Sequence, residues 1–300
     1  MPKLVNLGSA CVDYVYRVTE LVAAGETASS LSHEVFPGGK GLNQSLAAAR
    51  AGAEVHHLGA VGEDGMLLRQ VLLDAGVDVT GLVIRPDVAS GHAVIQVNDR
   101  GENAIVIAGG ANRTIADADR AAARALLQPG DWLLLQNEIN DLPLALELSR
   151  DTGARLAFNL APVDGREADY DFDCVNLLIV NEIEARAVVP GDIAAEENAV
   201  VAGWLAAKYP GMDVVLTAGA DGLHHARGDS VVRQPAFSVT PIDETAAGDA
   251  FIGFLLAGLL AGEEMATALR LGAAAGAQAV TVAGAAGSIP DRAAVRALLA

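Results

Sequence analysis

Short apolar runs that end in polar side chains recur along this chain, at Trp132–Gln136, Leu156–Asn159, Leu177–Val180 and Val214–Thr217. No other feature narrows the fold as far. Apolar runs of this length without strict alternation fit strands buried on both faces, as in a parallel sheet covered by helices. Helical spacing fills the intervals. Leu4–Gly8 reads as a first strand, and Pro37-Gly38-Gly39-Lys40-Gly41 opens a helix with Leu42, Leu46, Ala49 and Ala53 on one face. Val55–Val61 reads as a strand and Met66–Ala75 as a helix, and Ala247–Ala261, Glu264–Ala279 and Asp291–Leu299 carry helical apolar spacing. The alternation predicts an α/β fold built on a parallel sheet. The runs close on Gln136-Asn137-Glu138, Asn159, Asn181-Glu182 and Thr217. One polar residue at a strand end is often only a turn or cap. Several in one sheet point to a ligand site, because open α/β sheets bind ligands beyond the carboxyl ends of their strands.

One region breaks the pattern. His92–Val97 and Asn103–Ile107 flank Asn98-Asp99-Arg100-Gly101, a hairpin signal. Together with the polar, weakly alternating stretch before Pro37, they predict a small separate sheet, a lid inserted in two pieces. Residues 1–11, 37–90 and 110–300 would then form the α/β body, and residues 12–36 and 91–109 the lid.

Composition removes several classes. The net charge is −18 with no basic stretch, so nucleic acid and anionic membranes are poor partners. The apolar run Phe251–Leu260 is too short to cross a bilayer. Cys11 and Cys174 have no metal-ligand spacing, and Met1–Ser9 lacks the layout of a signal peptide. A cytoplasmic, reducing compartment is the expectation.

The lysines are Lys3, Lys40 and Lys208, and Lys40 precedes glycine rather than Ser or Thr, so there is no P-loop. The segment Asp243-Glu244-Thr245-Ala246-Ala247-Gly248-Asp249-Ala250-Phe251 offers another way to hold phosphate. Small residues here precede a helix whose first N–H groups lack partners and whose dipole is positive. Amides of Ala246, Ala247 and Gly248 would form an anion cradle without lysine. Asp249 beside it is either a base for a hydroxyl attacking a phosphate or simply a helix cap.

That segment resembles the C-terminal signature of the ribokinase family (pfkB-type carbohydrate kinases), and Gly38-Gly39-Lys40-Gly41-Leu42-Asn43-Gln44 resembles the N-terminal one. Gly8-Ser9…Asp13, Gly25-Glu26-Thr27, Gly101-Glu102-Asn103, Gly109-Gly110-Ala111-Asn112 and Asn181-Glu182-Ile183-Glu184 follow in the family's order, so the resemblance covers essentially the whole chain. It implies a Rossmann-like body with a β-sheet lid, and an ATP-dependent kinase acting on the primary hydroxyl of a small sugar, ribose or a related pentose. By the same resemblance Asp13, Gly38, Gly39, Asn43 and Glu138 would hold the sugar and Asp249 would be the base. Asn181, Thr217, Gly219 and Gly222 would meet the nucleotide, and Glu184 would order Mg²⁺ through water. Asp243, Thr245, Ala279, Val282, Gly284 and Ser288 would supply oxygens to K⁺. The lid would make a homodimer.

One position departs from the family. Asn generally stands two residues before the sugar-binding Asp, and here it is Cys11. A thiol is a weak hydrogen-bonding group, so a substrate hydroxyl facing it loses a bond. The alternatives are a nucleoside kinase of the same family, disfavoured by 4% aromatic residues, or a non-catalytic sugar or nucleotide sensor, for which an intact Asp249 has no use.

Overall fold

The computed structural model describes residues 2–300. In chain order the strands are β1 Leu4–Leu7, β2 Cys11–Arg17, β3 Ser32–Gly38, β4 Val55–Val61, β5 Leu82–Ile84, β6 Gly91–Val97 and β7 Asn103–Ala108. They continue with β8 Trp132–Gln136, β9 Arg155–Asn159, β10 Leu177–Asn181, β11 Asp213–Thr217, β12 Leu223–Arg227 and β13 Ser230–Gln234. The larger sheet runs β13-β12-β11-β10-β9-β8-β1-β4-β5. From β5 to β11 all pairs are parallel, and β12 and β13 extend the edge antiparallel. Helices cover both faces, and the sheet separates two large apolar clusters. This is the expected α/β body.

Three strands are additional to those read from the sequence. β5 is only Leu82–Ile84. The β12–β13 hairpin escapes a period-2 reading because His224 and His225 interrupt β12, while β13 lies at an exposed edge.

Close helix packing positions the site. The helix Lys40–Ala51 crosses the helix Ala247–Leu260 at Gly253. A Cβ on Gly253 would come within 2.3 Å of Ala47 Cβ and 2.6 Å of Ala48 N, so no larger residue fits. About one turn back along each helix stand Asp249 and the pair Asn43 and Gln44, which are thereby brought face to face. The abundant small residues thus serve backbone approach.

The second sheet runs β3-β2-β6-β7. β2 pairs antiparallel with β3 and parallel with β6, and β6 pairs antiparallel with β7. Cys11 pairs with Gly38 and with Gly91, so this end of the sheet lies where the chain leaves β1 and enters the Lys40–Ala51 helix.

Candidate active site

Asp249 sits in the first turn of its helix, but it does not cap it. Ala246 is the N-cap residue, in the left-handed region at φ 61°, and it makes no side-chain cap bond. Such backbone costs a non-glycine residue about 1–2 kcal/mol and is held by its surroundings. Here it turns the chain where Ala246, Gly248 and Asp249 line one cavity. The Ala247 N–H is tied to Glu244 O at 3.3 Å, and Ala250 N–H closes the first turn on Ala246 O at 2.8 Å. Among the described residues, the N–H groups of Ala246, Gly248 and Asp249 have no partner. The sequence puts Ala247 in the cradle. The turn at Glu244 occupies its N–H and leaves that of Asp249 open instead.

The Asp249 carboxylate is 8% exposed. Oδ2 accepts from Asn43 Nδ2 at 3.0 Å and Oδ1 from Gln44 Nε2 at 2.8 Å. Burial raises its pKa, while Lys40 and the two amides pull it back without cancelling the rise. Lys40 shares the cavity. Burial lowers the pKa of its ammonium group, but Asp249, Glu138 and Glu184 outweigh burial, so it stays charged. The sequence reading assigned Lys40 no role beyond excluding a P-loop. Its place among three carboxylates is a tertiary fact that no local spacing records. The cavity, about 200 Å³, is lined by Lys40, Asn159, Asn181, Glu184, Thr217, Gly248 and Asp249, with Glu244 and Ala246 at its edge.

On one side stand the groups from the base of the small sheet. The Asp13 carboxylate lies over Gly38, where a Cβ would come within 2.1 Å of its Oδ2. Burial, then Glu138, push Asp13 up to about 6. Glu138 accepts from Ser9 Oγ and, at 3.1 Å, from Lys40 N. Gly39 has φ 91°, and a Cβ there would come within 2.9 Å of Cys11 N. Cys11 Sγ accepts from Asn112 Nδ2 at 3.3 Å, and burial, then Glu138 and Asp13, raise the thiol pKa. Asn43 Oδ1 is buried and unpaired.

On the other side, Asn181 and Thr217 are register partners at the ends of β10 and β11. Asn181 and Glu184 form a reciprocal cap: Glu184 N–H donates to Asn181 Oδ1 at 2.9 Å, and Asn181 N–H and Nδ2 donate to the Glu184 carboxylate at 2.8 and 2.9 Å. This preformed cap holds Glu184 at the cavity wall. Gly219 and Gly222, at φ 52° and 90°, shape the turn beyond Thr217 without lining the cavity.

A loop next to the cradle gathers the remaining group. Asp243 Oδ1 accepts from Thr245 N and Oγ1 at 2.9 and 2.6 Å, and Oδ2 accepts from Gly284 N at 2.8 Å. Burial acts upward on Asp243, but these bonds hold it below its ordinary value. Ser288 Oγ donates to Ala285 O at 2.8 Å and lies 3.4 Å from Thr245 O, and Val282 N–H bonds Ala279 O at 3.1 Å.

A larger open groove of about 510 Å³ lies between Glu182, Arg186, Asp221 and Arg233. Arg186 bonds Asn198 Oδ1 at 2.9 Å and Arg233 bonds Asp221 O at 3.0 Å, so its cations are engaged within the wall. The smaller cavity is where the buried carboxylate, the lysine and the open amides meet.

A buried carboxylate beside open amides and a charged lysine is equipped for transfer of an anionic group to a hydroxyl. Comparison with known proteins decides the class. The model of the pfkB family of carbohydrate kinases matches residues 1–292. The chain belongs to the pfkB family of carbohydrate kinases. This pfkB enzyme is 33% identical over 293 residues to the ribokinase of Haemophilus influenzae, covering 96% of this chain and 95% of that one. It is 29% identical over 252 residues to the deoxyribokinase of Salmonella typhi, covering 82% of each. It superimposes on the structure of Arabidopsis thaliana ribokinase complexed with ribose and ATP with a TM-score of 0.87 at 27% identity, covering 99% and 98% of the two chains. The pfkB enzyme is accordingly an ATP-dependent sugar kinase with a ribokinase-like α/β fold and a second small sheet.

Proposed function

We propose that this kinase phosphorylates the primary hydroxyl of ribose or a closely related pentose, with Asp249 as the general base. The observation that carries the reading is the Asp249 carboxylate, buried, bonded by Asn43 and Gln44, and set beside the open N–H groups of Gly248 and its own backbone. The relatives' ribose and ATP supply the substrate class.

Asp13, Gly38, Gly39, Asn43 and Glu138 hold the sugar. Paired carboxylates accept bonds from neighbouring hydroxyls, the glycines admit the ring against backbone, and the unpaired Asn43 Oδ1 awaits a donor. Asp249 takes the proton of the attacking hydroxyl as its oxygen bonds to the γ-phosphorus. The bond to the bridging oxygen breaks and ADP leaves with that electron pair. Lys40 and the amides of Ala246, Gly248 and Asp249 receive the charge of the transferred group. Asn181, Thr217, Gly219 and Gly222 follow the nucleotide.

Glu184, a cavity carboxylate already fixed by Asn181, fits magnesium held through water; the bound ion would neutralise phosphate charge. Asp243, kept ionised, with the oxygens of Thr245, Ala279, Val282, Gly284 and Ser288, fits potassium beside the cradle. The strands β2, β3, β6 and β7 serve as lid, residues 12–36 and 91–109, over a body of residues 1–11, 37–90 and 110–300. The lid's exposed apolar edge, with Ile105, Val106 and Ile107, suits a homodimer contact. The reading is of a cytoplasmic enzyme.

Cys11 favours a second reading within the same chemistry, a pentose lacking one hydroxyl. An ADP-release assay over ribose, 2-deoxyribose, ketoses and nucleosides, in potassium and in tetramethylammonium buffers, tests all of this. Pentose turnover activated by potassium is expected. Turnover of nucleosides alone would move the substrate class, and no turnover of any acceptor would point to a sensor.

A further inference from the structure

Asp249 is one end of a chain of buried side-chain amides that the reaction above leaves unused. Gln44 Nε2, which bonds Asp249 Oδ1, also reaches Asn159 Oδ1 at 3.0 Å. Gln44 Oε1 accepts from Gln136 Nε2 at 2.7 Å, and that nitrogen also donates to Asn6 Oδ1 at 3.1 Å. Asn6 Nδ2 donates to Gly41 O and Ser45 Oγ, both at 2.8 Å, and Ser45 Oγ meets His57 Nδ1 at 2.9 Å. Asn6, Gln44, Gln136 and His57 are fully buried. They come from β1, the Lys40–Ala51 helix, β8 and β4, so the chain of bonds crosses separate elements.

The bonds have a direction. A carboxylate only accepts, so Gln44 turns its NH₂ to Asp249 and its oxygen to Gln136. Gln136 answers with its own NH₂, shared between Gln44 and Asn6. Its Oε1 is left buried without a partner, beside Gly8, where a Cβ would come within 2.4 Å of it. An unpaired buried carbonyl is costly, and an apolar side chain filling the same space would avoid it. The arrangement makes sense as a means of fixing the Gln44 amide.

We propose that Gln136 is a positioning residue for this kinase: it orients the Gln44 amide, which in turn keeps the Asp249 carboxylate ionised and aimed. The proposal rests on the reading of Asp249 as the base. Besides Asn43 and Gln44, the charged groups facing Asp249 are Lys40, Glu138 and Glu184. At the far end, burial pushes His57 down to about 4, so it stays neutral near neutral pH and adds no charge.

The test is the pH dependence of kcat. Gln136→Met keeps the length and removes the donors, which frees Gln44 to rotate. The acid limb should move to higher pH by about one unit, the size expected for a hydrogen bond to a charged group. Gln44→Met should move it at least as far. Adding Gln136→Met to Gln44→Met should then change nothing more, because Gln136 acts only through Gln44. An unmoved limb in folded Gln136→Met, or additive shifts in the double variant, overturns the proposal. If Gln136→Met does not fold, Gln136→Asn, which retracts the amide by one methylene, supplies the same comparison. Asp249→Asn separates the two readings. Retained turnover there removes the base itself. Lost turnover with an unmoved limb in Gln136→Met leaves the base and removes the positioning role.

Discussion

The two sheets differ in what surrounds them. In the large sheet, β1, β8 and the apolar parts of β9 and β10 are buried, and the cavity groups Asp249, Lys40 and Gly248 sit on helices packed against that mass. In the small sheet, β7 is exposed along most of its length, with Val106 at 71% and Ile107 at 66%. It reaches the candidate site at its base, through Cys11, Asp13 and Gly38. A rigid body can hold charge-handling groups to within fractions of an ångström, while a thin sheet with open faces can move with the substrate. The contrast predicts that changes at Asp249, Lys40 and Gly248 strike turnover, and changes at Asp13 and Cys11, at the base of the small sheet, strike recognition of the sugar.

The harshest test of that contrast is Asp249→Asn. The side chain keeps its shape and the variant should bind sugar and ATP nearly as before, while kcat falls by about 10²–10⁴-fold, the span of general base catalysis. Single-turnover kinetics and calorimetric sugar binding on the same preparation check both halves. A near-normal kcat would end the assignment, and a lost sugar affinity would blur the line between body and lid.

At the lid base the corresponding handle is pH. Asp13, raised from 3.8 to about 6 by burial and Glu138, is ionised at neutral pH and accepts hydroxyl donors. Below about 6 it takes up a proton, and sugar affinity should fall roughly tenfold per unit of pH. Because the folded pKa is the raised one, this group's stabilisation of the unliganded fold is present below its unfolded pKa and fades as pH rises through about 6. Acid should therefore weaken binding without weakening the fold through this group. Calorimetry of sugar binding without ATP, with Asp13→Asn as the control that lacks the limb, reads this directly; an identical pH dependence in both proteins would remove Asp13 from recognition.

Much of this was legible before any coordinates. The apolar runs of β8, β9, β10 and β11 carry their own strand signal, and of the polar residues closing them Asn159, Asn181 and Thr217 line the cavity. The small residues from Ala246 to Gly248 mark the start of the helix Ala247–Leu260. What stayed hidden depends on contacts across long stretches of chain. Lys40 looks like a failed P-loop residue until folding surrounds it with Asp249, Glu138 and Glu184. Asn6 and Gln136 are lone polar residues in apolar strands, and nothing near either reveals that they bond each other across 130 positions. The αL turn at Ala246, which ties the Ala247 N–H to Glu244 O, is a conformation that alanine does not advertise.

The finest test falls on Cys11. It stands two residues before Asp13 on β2, so both side chains leave the strand on the same face. Its sulfur already accepts from Asn112 Nδ2 at 3.3 Å, and Asn112 also holds the Ala10 N–H and carbonyl at 3.0 and 3.1 Å. An asparagine in place of Cys11 would keep an acceptor for Asn112 and present an amide to the sugar, which the thiol does poorly. One properly placed bond to a substrate hydroxyl is worth about 0.5–1.5 kcal/mol, so Cys11→Asn should shift the ratio of kcat/KM for ribose over 2-deoxyribose by roughly 2- to 13-fold in favour of ribose. The competing account is that Cys11 is a small residue fitted between Asn112 and the glycines, with no view of the substrate. The larger asparagine would then overfill that space and would cost stability alone. A lowered Tm with an unchanged ratio selects that account; a shifted ratio places the choice of sugar at the base of the small sheet.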